Sequence, residues 1–65
     1  MIQIKLPCNA LITMGFFMSD KASSLQTYSQ RGVVTSYDEE SHYVTWTIND
    51  IEQPIVHINA VNFLL

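Results

Sequence analysis

The stretch GVVTSYD (residues 32–38), EES (39–41) and HYVTWTI (42–48) decides the fold class. Val, Ile, Thr, Tyr and Trp fit a pleated, half-buried surface. Two such runs flank a short acidic turn, which is the sequence form of an antiparallel hairpin. In the second run Val44, Trp46 and Ile48 share one face, and Tyr43, Thr45 and Thr47 the other. The first set is wholly apolar and is assigned to the core. In the first run Val33 and Val34 point to opposite faces, so the turn geometry sets the register. Asp38, Glu39, Glu40 and Ser41 carry the turn.

Working outward, Asn49, Asp50 and Glu52 form the next turn. Pro54 opens a strand, IVHI (55–58), in which Val56 and Ile58 share a face. Residues 59–61 read as one tight helical turn and NFLL (62–65) as a closing strand. On the other side, Ile2, Ile4 and Leu6 alternate with Gln3 and Lys5, the period of a half-buried strand. Pro7 ends it, since proline cannot donate to a ladder. Residues 10–17 read as a buried strand with Gly15 as a candidate bulge. A short helix is the alternative, but Ile, Thr and Phe favour the strand. The polar segment SDKASSLQTYSQR (19–31) reads as a surface loop, with Ser19 or Asp20 capping a turn of helix over residues 22–26. There is no internal repeat, low-complexity tract or linker.

Sixty-five residues make one domain. A chain this short buries only about 60% of the surface it exposes unfolded, so it usually adds disulfides, a metal or a partner. Cys8 is the single cysteine, which excludes an internal disulfide. Cys8, His42 and His57 are too scattered for the close four-ligand spacing of a structural zinc site, and no cofactor motif is present. The chain is 48% hydrophobic and 14% charged, against a usual charged share of roughly 25%. So much apolar side chain in so small an interior predicts an interaction surface. The alternative is that Ser, Thr, Asn and Gln replace charges on the outside.

The formal net charge is −3, and Lys5, Lys21 and Arg31 are the only basic residues. Nucleic-acid binders carry a basic stripe that displaces counterions from phosphates, so a nucleic-acid partner is not expected. The apolar run over residues 10–18 is far short of the ~20 needed for a membrane span. It also lacks the pattern of a leader peptide. The expected location is the cytoplasm, with Cys8 reduced.

The element order resembles that of Src-homology-3-like small barrels, including Tudor, chromo-barrel and KOW-type modules. Gly32-Val33-Val34, Tyr37-Asp38, Val44-Thr45-Trp46 and IVHINAVNFLL (55–65) carry the likeness, together with residues 10–17. The resemblance implies an all-β, antiparallel small barrel of about five strands, and a binding module rather than an enzyme. The polar segment would be its long first loop and residues 2–6 an extra N-terminal strand.

The candidate partner-binding residues are Tyr28, Tyr37, Asp38, Glu39, Glu40 and Tyr43. Tyrosine faces attract cations, and the acids could steer a basic partner; the alternative is half-exposed strand tyrosines and a solvated hairpin tip. Ile2, Ile4, Leu6, Phe63 and Leu64 are the candidate oligomer-interface residues, because open apolar β edges invite another chain. The alternative there is that the two ends pair with each other. His42, His57 and Cys8 lack the third orienting group that nucleophilic catalysis needs, so no catalytic residue is assigned. The function expected is a non-enzymatic, self-associating protein–protein interaction module. The alternatives are a small phage or mobile-element inhibitor that blocks a host protein, and a nucleic-acid-binding barrel.

Overall fold

The computed structural model describes residues 4–18 and 21–65 and is all-β. Its strands are β1 (Cys8–Met18), β2 (Lys21–Tyr37), β3 (Tyr43–Ile48), β4 (Ile51–Glu52), β5 (Val56–His57) and β6 (Val61–Phe63). The sheet runs in the order β4-β3-β2-β1-β6, with β5 also on β3, and every pairing is antiparallel. No helix of the described residues is long and apolar enough to cross a membrane.

The hairpin forms where its pattern places it. Val44 and Trp46 are buried, and Ile48 packs against them. The register is settled by a bulge: Val34 pairs with Trp46 but Ser36 pairs with Thr45, which leaves Thr35 as the extra residue. The Thr35 hydroxyl donates to the carbonyl of Thr45 at 3.1 Å. The bulge lets Val34 and Tyr37, three residues apart, both reach the core. Asn49 and Asp50 both take positive φ, 51° and 65°, the two-residue turn geometry that matches strand twist. Ala10, Ile12 and Val34 complete the buried cluster with Val44 and Trp46.

Several expectations are corrected. The polar segment is not a loop with a helical turn, because residues 21–31 belong to the 17-residue strand β2; Ser19 and Asp20 lie outside the described residues. Where its burial is described the segment shows no period: Gln26, Thr27, Tyr28 and Ser29 are all exposed. It becomes a strand because β1 pairs with it from Cys8↔Val34 to Phe17↔Leu25, satisfying its backbone groups. Gly15 is not a bulge; it pairs in register with Thr27, and the irregularity of β1 falls between Phe17 and Met18. Residues 4–6 form no strand, since among the described residues no strand pairs with them, and Leu6 packs against the core; Ile2 and Gln3 lie outside the described residues.

The helical turn is Ile58–Ala60, one residue earlier than expected, because the His57 side chain caps it by accepting the Asn59 N–H at 3.1 Å. The sheet is not closed into a barrel. Closure needs edge strands long enough to meet in register, and β4, β5 and β6 hold only two, two and three residues.

Candidate functional site

The turn end of the β2–β3 hairpin is built from a few short-range bonds. The Asp38 N–H donates to the Tyr43 carbonyl at 2.9 Å, and the His42 N–H donates to the Asp38 carbonyl at 2.8 Å. His42 takes φ 67° to close the loop, a left-handed position in which histidine is one of the more tolerated residues. The Asp38 carboxylate accepts the Glu40 N–H at 3.0 Å and the Ser41 hydroxyl at 3.0 Å. The Glu40 N–H first, and then the Ser41 hydroxyl, hold this carboxyl below the ordinary value of 3.8.

A carboxyl lowered on folding adds stability above its unfolded value, and the contribution is lost as pH falls through its folded value. The carboxyl carbon of Asp38, followed by NMR, should therefore titrate below an ordinary aspartate. Over the same range the amides of Glu40 and Tyr43 should exchange faster with solvent. Titration at or above the ordinary value would show that these bonds do not order the turn.

Beside the turn lies an open hollow of about 240 Å³. Tyr37 and Tyr43 stand at its aromatic side, Asp38 supplies charge, and Ser36, Ser41 and Thr45 supply hydroxyls. Val44 and Ile55 are its apolar contributors, and Ile55 is 59% exposed. Among the described residues no Lys or Arg lines it.

A ring cluster adjoins the hollow. The Tyr37 hydroxyl lies 2.9 Å from His42 Nδ1. The His42 and His57 ring centroids are 6.0 Å apart, and Tyr43 meets His57 edge-on at 5.5 Å. The Ile58 N–H donates to the His42 carbonyl at 2.8 Å, tying the turn to the start of the helical turn. Both Nδ1 atoms thus sit in structural hydrogen bonds.

The structure brings together Tyr37, Asp38 and Tyr43 of the six partner-binding candidates. Glu39 and Glu40 are exposed on the adjoining turn, outside the lining. Tyr28 lies elsewhere, on β2 opposite Met14, with its hydroxyl 4.0 Å from Met14 Sδ. From the sequence Ile55 reads only as the start of a strand, yet it lines the hollow. Its one signal is Pro54 before it, since a proline interrupts an edge.

Of the interface candidates, Leu6 and Phe63 pack against the core, Ile4 is half-buried, and the Leu64 N–H donates to the Asn9 carbonyl at 2.9 Å. Ile2 lies outside the described residues. Cys8, at the start of β1, has its Sγ 3.4 Å from the Asn9 carbonyl and 3.9 Å from that of Leu64. Comparison with protein-family models, curated proteins and solved structures found no match.

Proposed function

We propose that this chain is a non-enzymatic protein–protein interaction module that self-associates and also receives a basic segment of a partner protein in the hollow. The observation that carries the reading is the hollow's lining: two tyrosines, a carboxylate whose turn bonds favour its ionised form, and an exposed isoleucine, with no lysine or arginine among the described lining residues. A lysine or arginine side chain matches this surface. Its stem packs on apolar groups while its head reaches a ring face or a carboxylate. Glu39 and Glu40 beside the hollow add to the field that steers a basic segment inward.

The connectivity supports the reading by analogy. A long hairpin, a second hairpin, a helical turn and a last strand returning to β1 follow the order of Src-homology-3-like modules. The likeness is one of element order, and it supports a binding module by fold analogy alone.

The test is binding of Lys/Arg-containing and Glu-containing peptide libraries to the purified protein. Basic peptides should bind, more weakly at raised salt. Tyr43→Ala should reduce their affinity at least ~10-fold, equivalent to about 1.4 kcal/mol. Tyr28→Ala should leave it unchanged. Equal binding of acidic and basic peptides, or indifference to Tyr43→Ala, would dismiss the hollow as the binding site.

A further inference from the structure

We propose that the chain forms a two-fold dimer by pairing the outer edge of β1, over residues 13–18, with the same edge of a second copy. The proposal rests on the self-association part of the reading above and is independent of the hollow.

The hydrogen-bond directions identify the edge. The Leu64 N–H donates to the Asn9 carbonyl, and Leu11 faces Asn62 in register. The backbone groups of successive strand residues point alternately to the two neighbours. Asn9 and Leu11 therefore aim at β6, and Thr13 and Gly15 aim the same way. The β6 pairing ends at Ile12. Among the described residues no strand pairs with β1 beyond that point except β2, on its other side.

This edge lacks the usual defences. Exposed edges are normally kept short or carry charge or proline. The far edge of the sheet follows that practice: β4 and β5 are two residues each, Glu52 lies in β4, and Pro54 stands between them. By contrast, residues 8–19 contain neither a charged residue nor a proline. The other edge of the same arm, on β2, is flanked by Lys21 and Arg31.

The occupant follows from symmetry and charge. An antiparallel strand is its own complement across a two-fold axis, and such contacts close rather than propagate. An uncharged strand meets itself without like-charge repulsion, which the β2 edge does not offer. The gain is also structural. A two-stranded ribbon is marginal in water, whereas three or more strands are stable. Two arms joined through β1 make one four-stranded sheet.

Gly15→Pro tests this. The Gly15 N–H faces away from β2 and its φ is not positive, so proline removes an edge donor and leaves the β1–β2 ladder intact. Sedimentation should show a wild-type dimer at about micromolar concentrations and at least ~10-fold weaker association in Gly15→Pro. Thr27→Pro is the control. Thr27 is the register partner of Gly15, and its N–H faces the opposite edge; this variant should dimerise normally.

A dimer that survives Gly15→Pro, or that is lost equally in Thr27→Pro, overturns the proposal. If Gly15→Pro does not fold, wild-type amide exchange decides. Protection at Thr13 and Gly15 should rise with protein concentration, and constant protection overturns the pairing. A wild-type monomer overturns it too, while leaving the peptide-binding reading of the hollow standing.

Discussion

Trp46→Ala should remove roughly a third or more of the domain's stability and can unfold it outright. Trp46 has no exposed surface and is the largest of the fully buried side chains. Deleting a buried Trp or Phe costs about 3–5 kcal/mol. At roughly 0.05–0.15 kcal/mol per residue, a chain this long has about 3–10 kcal/mol in total. The loss goes beyond packing. The indole N–H donates to the Pro54 carbonyl at 2.9 Å, while the Trp46 carbonyl accepts the Gln53 N–H at 2.9 Å. One residue therefore holds the segment between β4 and β5 at two points. Circular dichroism and amide exchange should show lost strand signal at temperatures where the wild type is folded. Trp46→Phe keeps most of the volume but not the donor, and should fall between the two. A Trp46→Ala variant with an unchanged melting temperature would overturn the assignment of this residue as the centre of the core.

Gly32→Ala should also be strongly damaging, although it adds only one carbon. A Cβ at this buried position would lie 2.6 Å from Trp46 Cε3 and 2.7 Å from the Thr47 carbonyl oxygen. Neither neighbour yields cheaply: one belongs to the packed indole and the other to the backbone of the adjacent strand. The requirement is close approach rather than backbone freedom, since Gly32 does not have positive φ. Overpacking of this kind typically costs about 1–3 kcal/mol. At ~4–8 °C per kcal/mol for a domain of 60–100 residues, a fall of roughly 5–20 °C in melting temperature is expected. Gly32→Val should be worse. Gly15→Ala supplies the contrast, because Gly15 is exposed. Equal, small effects at both glycines would show that Trp46 does not sit against Gly32.

The two glycines differ in what their sequence context reveals. Gly15 interrupts an apolar run and so reads as a bulge, but it pairs in register with Thr27. Gly32 looked like the start of a strand, whereas it is where the indole lies against the backbone. A glycine marks a special backbone position, but the neighbour that requires it comes from elsewhere in the chain.

The candidate site was half legible. Tyr37, Asp38 and Tyr43 could be named because all three flank one turn, and turn residues stay neighbours in any register. Ile55 and His57 could not be joined to them, since only the pairing of β5 with β3 carries them across. Thr35 gave no sign of the bulge that lets Tyr37 as well as Val34 reach the core.

The sequence by itself determined the hairpin, its acidic turn and its buried face, because period-two alternation around Val44 and Trp46 encodes burial locally. It also set the uncharged character of β1, a matter of composition alone. Only the tertiary structure decided that the polar residues 21–31 are strand, that residues 4–6 are not, and that the sheet stays open. Strand formation in a segment without an apolar pattern depends on a partner that satisfies its backbone groups. That partner is β1, whose pairing with β2 spans up to 26 positions, from Cys8 to Val34. Such pairings are a property of the whole chain, so no local period in residues 19–31 could announce them.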